Sequence, residues 1–192
     1  MKKDLLLRAF WGAVLLTVVF AQACKEPDIK LVNKVKGFAP QWATLNEKMS
    51  YLDRNLTQAE NRFEKDFQEL EGMLGVIADS LKGRKYRAML KDYDSLTVKR
   101  DTMRTLYTTN KEEYTLEVDA FNSWEKKVMS AEIDTEGGLE RLKVYKGVQK
   151  RLEFSTDSLT SELETLFEQH NTILRDLARM MEIYTNYDIR MQ

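Results

Sequence analysis

The spacing of apolar residues constrains the fold of this chain more than any other feature of its sequence. From Pro40 to about residue 82, apolar side chains recur three or four positions apart. They are Trp42, Leu45, Met49, Leu52, Leu56, Ala59, Phe63, Phe67, Leu70, Leu74, Ile77 and Leu81. Such steps place side chains on one face of an α-helix, and their near alternation is typical of a heptad seam between packed helices.

Two further segments carry the same pattern. The second stripe consists of Tyr86, Met89, Tyr93, Leu96, Met103, Tyr107, Tyr114, Val118, Phe121, Trp124 and Val128, with Arg100 and Asn110 filling two steps. The third consists of Leu142, Tyr145, Val148, Leu152, Ser155, Leu159, Leu163, Leu166, His170, Ile173, Leu177, Met180 and Tyr184. Gly83 and the run IDTEGG at 133–138 separate the segments, because glycine and aspartate favour turns and helix ends.

These stripes predict an all-α fold, an elongated, coiled-coil-like, up-down-up three-helix bundle with helices at roughly 40–82, 85–133 and 138–187. Pro40 suits the first position of the first helix. Glycines inside the first and third segments leave an alternative of four or five shorter helices.

Composition excludes several functional classes. The 192 residues include 30 Lys and Arg against 31 Asp and Glu, so no global basic field favours nucleic acid. A single cysteine and a single histidine exclude an intramolecular disulfide and the common multi-histidine metal sites. They also leave no nucleophile paired with a histidine base, and no glycine-rich nucleotide loop is present. We therefore expect neither an enzyme nor a cofactor or metal site.

The N-terminus has the three parts of an export signal. Lys2 and Lys3 precede an apolar run at 10–21, and Ala21 and Ala23 flank Gln22 in an A-x-A end. The apolar stretch is shorter than the ~20 residues that a membrane-spanning helix needs. We therefore expect residues 1–23 to be a signal peptide.

Ala21-Gln22-Ala23-Cys24 resembles the lipobox of bacterial lipoproteins. In that family the signal is cut just before the cysteine, whose sulfur receives a diacylglycerol and whose new amino group is usually acylated. The resemblance implies lipidation at Cys24 and a place in the bacterial cell envelope, at the outer membrane, with residues 24–39 as a flexible tether. Ala21 stands where leucine is usual, which leaves cleavage after Ala23 and a secreted or periplasmic soluble protein as the alternative.

One polar layer follows from the expected register. With straight helices and turns near residues 83 and 135, Asp66, Arg100 and His170 fall at one level of the bundle. Polar seam residues commonly fix register and partner choice. A sharper hypothesis is a pH-responsive or ligand-holding layer, because a histidine beside a carboxylate titrates close to neutral pH.

The function that these features predict is that of a lipid-anchored envelope protein acting as a non-catalytic interaction or structural module. Its expected partners are the membrane, through the anchor, and an unidentified envelope protein or a second copy of the chain. The alternative is a carrier of a small ligand or lipid, which requires a cavity between the helices.

Overall fold

The computed structural model describes residues 26–74 and 81–191. Three helices occupy these ranges: α1 at Ile29–Leu74, α2 at Leu81–Met129 and α3 at Thr135–Met191. They pack against each other as a bundle, which confirms the predicted three-helix fold. No strand occurs in the described ranges.

The chain divides into two compact units. Among the described residues, the first unit comprises 26–40 and Asp119–Lys146, and the second comprises 41–74, 81–118 and 147–191. Each unit therefore contains a segment of every helix. In the first unit these are the start of α1, the end of α2 and the start of α3, so that α2 runs opposite to its two neighbours.

The core of the first unit begins earlier in the chain than the sequence predicted. Leu31, Val35 and Phe38 are buried and extend the heptad seam of α1 toward its N-terminus. The prediction that residues 24–39 form a tether is therefore wrong for 29–39, and Pro40 lies inside the helix. A proline within a helix costs about 3 kcal/mol, and burial of the three preceding seam side chains offsets that cost.

The start of α1 is joined to the start of α3 by one carboxylate. Asp28 caps α1, accepting hydrogen bonds from the backbone amides of Lys30 at 2.7 Å and Leu31 at 3.1 Å. Its second oxygen accepts the hydroxyl proton of Thr135 at 2.6 Å. The Thr135 hydroxyl, together with the two amides, lowers the pKa of Asp28 below its ordinary value.

The turn between α2 and α3 lies before the glycines that predicted it. Ala131 adopts φ 58°, and Glu132 N donates to Lys127 O at 3.0 Å, closing a Schellman-type cap. Gly138 lies inside α3, where a Cβ would approach the Leu31 side chain to 2.3 Å. Its missing side chain therefore permits the close approach of α1 and α3 instead of ending a helix.

The seam of α3 is more regular than its hydrophobicity suggests. Gln149 and Thr156 are buried, where the sequence analysis had assigned Val148 and Ser155. The buried positions alternate strictly in steps of three and four: Leu142, Tyr145, Gln149, Leu152, Thr156, Leu159, Leu163, Leu166 and His170. Both polar side chains are satisfied within α3, since Gln149 Nε2 donates to Glu153 at 3.1 Å and Thr156 Oγ1 to Leu152 O at 2.8 Å.

Candidate functional site

Two of the three residues predicted to share a polar layer lie together in the second unit. His170 Nε2 is 3.1 Å from Asp66 Oδ2, which joins α3 to α1. His170 is fully buried, and the Asp66 side chain is 19% exposed. The contacting oxygen, Asp66 Oδ2, is itself buried and has no hydrogen-bond partner in the described residues, so the exposed part of the Asp66 side chain lies away from the imidazole.

Aromatic rings enclose this histidine. The ring of Phe63 stacks on it with centroids 4.0 Å apart and planes 3° from parallel. Tyr93 Oη of α2 lies 2.9 Å from His170 Nε2 and donates to Phe63 O at 3.0 Å. Because a carbonyl only accepts, the tyrosine proton is directed to Phe63 O, and Nε2 carries the proton that it donates to Tyr93.

This tautomer leaves His170 Nδ1 as a buried acceptor with no hydrogen-bond partner in the described residues. Burial lowers the pKa of His170 below its ordinary 6.5, and the charge of Arg62 acts in the same direction. Asp66 opposes the shift without cancelling it. The ring is therefore neutral at pH 7, whereas the neighbouring carboxylate alone led us to expect titration close to neutrality.

Burial, reinforced by the charge of Asp66, also raises the pKa of Tyr93. Its hydroxyl thus stays protonated and serves as a fixed donor. The sequence analysis had placed Tyr93 and Phe63 in the apolar seam. The only signal for their polar role was their position beside a seam histidine.

Arg100, the third residue predicted for the layer, makes its hydrogen bonds outside the contact between Asp66 and His170. Its guanidinium contacts Asp101 at 2.7 Å and Glu60 O at 3.4 Å. Its guanidinium carbon lies 6.0 Å from the centroid of the Phe63 ring, and its charge acts on Tyr93 by lowering the pKa of that hydroxyl, against the larger effect of burial. Both turns were placed several residues too late: α2 already begins at Leu81, so that Gly83 lies inside it, and α2 ends at Met129. Relative to its two neighbours, α2 therefore lies about one heptad away from its expected position. The alignment of α1 with α3 hardly changes, because these two helices run parallel and the two errors largely cancel.

A second polar cluster fastens α2 to α1. Arg104 donates to Glu60 Oε1 at 2.6 Å, to Asp53 Oδ1 at 2.5 Å and to Thr57 Oγ1 at 2.9 Å. Lys111 donates to Asn46 Oδ1 at 3.2 Å. The basic side chains of Arg104 and Lys111 thus connect α2 to α1.

A groove of about 560 Å³ lies in the first unit. It is lined by Lys34, Thr135, Glu136, Leu139, Glu140, Leu142, Lys143 and Lys146. Three lysines and two glutamates thus surround a small apolar surface, and Lys143 is paired with Glu140 at 2.6 Å. The groove has the volume of a small-molecule site.

Within residues 26–74 and 81–191, no cluster of three or more His, Cys, Asp or Glu side chains is arranged to hold a metal ion. No helix of the same ranges is sufficiently long and apolar to cross a membrane. Cys24 and the predicted signal peptide lie outside the described residues.

No protein-family model matches the chain, and neither the curated proteins nor the solved structures provide a match. The functional interpretation therefore depends on the residues and their geometry alone.

Proposed function

We propose that this chain is a lipid-anchored protein of the bacterial envelope, held at the outer membrane through Cys24, and that it acts as a non-catalytic interaction or structural module. The observation that carries the proposal is the sequence Ala21-Gln22-Ala23-Cys24 at the end of an export signal. The only cysteine of the chain stands at the position where lipoproteins are acylated.

The position of α1 sharpens this proposal. Cys24 precedes the first residue of α1, Ile29, by five positions. A chain of that length spans at most about 18 Å, compared with roughly 50 Å for the tether expected from the sequence. An acylated Cys24 therefore holds the start of α1 close to the lipid headgroups. Two or three acyl chains on one residue anchor a protein essentially permanently.

The helical bundle supports an interaction role. The seams are filled by large side chains, among them Phe38, Phe63, Tyr93 and Tyr145, all almost completely buried. Such a bundle keeps its outer faces in fixed positions, which suits the binding of an envelope protein or of a second copy of the chain. Neither nucleic acid nor a cofactor is part of this proposal.

A second candidate is the carrier function, which the groove of about 560 Å³ in the first unit favours. Its lining has one lysine more than it has glutamates and includes the apolar residues Leu139 and Leu142, which suits an anionic amphiphile. Binding of a fluorescent anionic lipid, lost in a Leu142→Glu variant that retains its helical circular dichroism, would support this role. Unchanged binding in that variant would exclude the groove as the binding site for the lipid.

The anchor is tested by labelling with a radioactive or clickable fatty acid in a bacterial host. The wild type should incorporate the label, and Cys24→Ser should not. An unlabelled wild type would favour the alternative of a secreted or periplasmic soluble protein. Equal labelling of both forms would place the lipid on another residue.

A further inference from the structure

The outward face of α2 in the second unit exposes large apolar side chains. Val98, Leu106 and Leu116 are 60%, 50% and 71% exposed. Threonines continue this surface as far as Thr109, and Glu113, which is paired with Arg151 of α3, lies between Thr109 and Leu116. The outward stripe, as we call it, consists of Val98, Thr102, Thr105, Leu106, Thr109 and Leu116. It lies on the side of α2 opposite to the buried residues Met103 and Tyr107.

The threonines make this stripe less polar than its composition suggests. Thr102 Oγ1 donates to Val98 O at 3.0 Å, Thr105 Oγ1 to Asp101 O at 3.0 Å and Thr109 Oγ1 to Thr105 O at 3.1 Å. Because the hydroxyl protons are used within the helix, a partner can cover the side chains without leaving donors unsatisfied.

Helix stability alone disfavours these residues. Threonine and valine at exposed helical positions cost roughly 0.5 kcal/mol each relative to alanine. The same β-branched side chains are stiff at χ1, so little side-chain entropy is lost when a partner covers them. Their presence on an exposed face is therefore better explained by docking than by folding.

Charges around the stripe are predominantly acidic. Three exposed carboxylates, from Asp94, Asp101 and Glu112, flank it, whereas Lys99 is the exposed base between Asp94 and Leu116. The other bases of this stretch make contacts to α1: Arg100, Arg104 and Lys111. Arg104 and Lys111 thus stabilise the bundle, and Asp94 and Glu112 remain at the rim beside Asp101, which is paired with Arg100 at 2.7 Å.

We infer that the outward stripe is the docking surface for an amphipathic helix with basic flanks, supplied by another protein. This inference rests on the proposed function and names the chemistry of its partner. A second copy docked through the same stripe would bring the acidic rims together, which disfavours self-association.

The size of the stripe indicates the kind of partner. From Val98 to Leu116 it is about 27 Å long and about 10 Å wide, which gives roughly 300 Å². A stable interface buries about 800 Å² on each partner. The stripe therefore suits one helix laid alongside α2, in a weak and reversible contact.

The test uses the full chain and two synthetic helical peptides with leucines in a heptad seam. One peptide has lysine flanks and the other has glutamate flanks. Binding is measured by fluorescence anisotropy at low and high salt. The stripe variant is Val98→Lys with Leu116→Lys, and the matched control is Phe154→Lys, which replaces an exposed apolar residue of α3 in the same unit.

We expect the lysine-flanked peptide to bind at least tenfold more tightly than the glutamate-flanked one, and more weakly at high salt. The stripe variant should lose at least tenfold in affinity, and Phe154→Lys should retain it. Equal losses in both variants, or equal affinity for both peptides, would overturn the inference. So would a wild-type dimer, seen by sedimentation equilibrium, that the stripe variant dissociates.

The two proposals fail separately. The stripe variant leaves Cys24 intact, so fatty-acid labelling reports on the anchor whatever the peptides do. Conversely, peptide binding by the unlipidated Cys24→Ser protein reports on the stripe whatever the labelling shows.

Discussion

Each unit of the bundle buries a cluster of aromatic side chains, but only the cluster of the second unit contains an imidazole. In the first unit, Phe121 packs edge-to-face on Phe38 at 5.5 Å and on Tyr145 at 5.3 Å. In the second, Phe63 stacks on His170 at 4.0 Å. The same spacing of buried residues therefore accommodates an apolar aromatic cluster in the first unit and a histidine in the second. Because the pKa of His170 differs between the folded and the unfolded chain, only the second cluster makes the free energy of unfolding depend on pH between 5.5 and 7.

The largest expected effect concerns the apolar cluster. Phe121→Ala removes a buried ring that contacts Phe38, Trp124 and Tyr145. We expect a loss of about 3–5 kcal/mol in the free energy of unfolding, with the same value at pH 7 and pH 5.5. Urea denaturation at both pH values measures it. A loss that changes strongly between them would show that the first cluster is not electrostatically neutral.

A smaller loss of stability is expected on removal of the Tyr93 hydroxyl, which connects Phe63 O to His170. Tyr93→Phe removes the donor to Phe63 O and the acceptor for His170 Nε2, which leaves buried polar groups with fewer partners. The expected cost is about 1–3 kcal/mol in unfolding free energy. Tyr145→Phe is the matched change in the first unit and should cost less than about 1 kcal/mol, since its ring contacts survive. Equal costs would argue against a stabilising role for the layer.

The pH dependence of the second unit follows from His170. Its pKa in the folded chain lies below 6.5, so the unfolded chain binds the proton first as the pH falls. This group leaves stability unchanged above about pH 7 and lowers it below 6.5, by up to about 1.4 kcal/mol per pH unit until the folded pKa is reached.

Two measurements check this dependence. The difference in unfolding free energy between the wild type and His170→Phe should shift in favour of the variant between pH 7 and pH 5.5. The imidazole proton resonance of the only histidine in the chain should titrate below 6.5. Titration at or above that value would contradict the buried, neutral ring.

In the first unit, one substitution should stabilise. Ala131 has a left-handed backbone conformation at the end of α2, with φ 58°. Ala131→Gly should raise the unfolding free energy by about 1 kcal/mol, because glycine adopts this conformation without strain. The matched control is Ala120→Gly inside α2, which should destabilise by a similar amount. Destabilisation by both would refute the cap.

The smallest effect separates the acid responses of the two units. Asp28 has a folded pKa below 3.8, so its contribution is present above 3.8 and is lost as the pH falls through the folded pKa. We expect Asp28→Ala to lower the melting temperature slightly at pH 7, and by less at pH 2, because part of the carboxylate is then protonated. Asn at this position should retain part of the cap. An equal decrease at both pH values would exclude a role for the charge.

Secondary structure and most of the seam could be predicted from the sequence because apolar periodicity reports helices directly. Trp42, Leu45 and Met49 are buried as the spacing predicted. The start of α1 could not be predicted, since Pro40 has the character of a first helical position. Gln149 was missed because hydrophobicity alone favours Val148 over a glutamine in the seam.

In the predicted polar layer of Asp66, Arg100 and His170, one contact could be predicted from the sequence and the other could not. Asp66 and His170 lie on helices that run parallel, so errors in the two turns largely cancelled and their contact was predicted. Arg100 and Tyr93 lie on the antiparallel helix, where each residue of error in a turn displaces the partner by two. Tyr93 therefore took the place that the sequence analysis had given to Arg100.

By itself, the sequence determined three amphipathic helices, the absence of paired cysteines and histidines, and the lipobox-like site that remains a proposal. The tertiary structure decided which residues meet: Tyr93 rather than Arg100 at His170, and Gly138 against Leu31. The physical reason is the difference in sequence separation between the interactions that form a helix and those that align two helices. Helix periodicity arises from residues three and four apart, whereas the register between helices depends on where the turns begin, and those positions are stabilised by contacts distant in the chain.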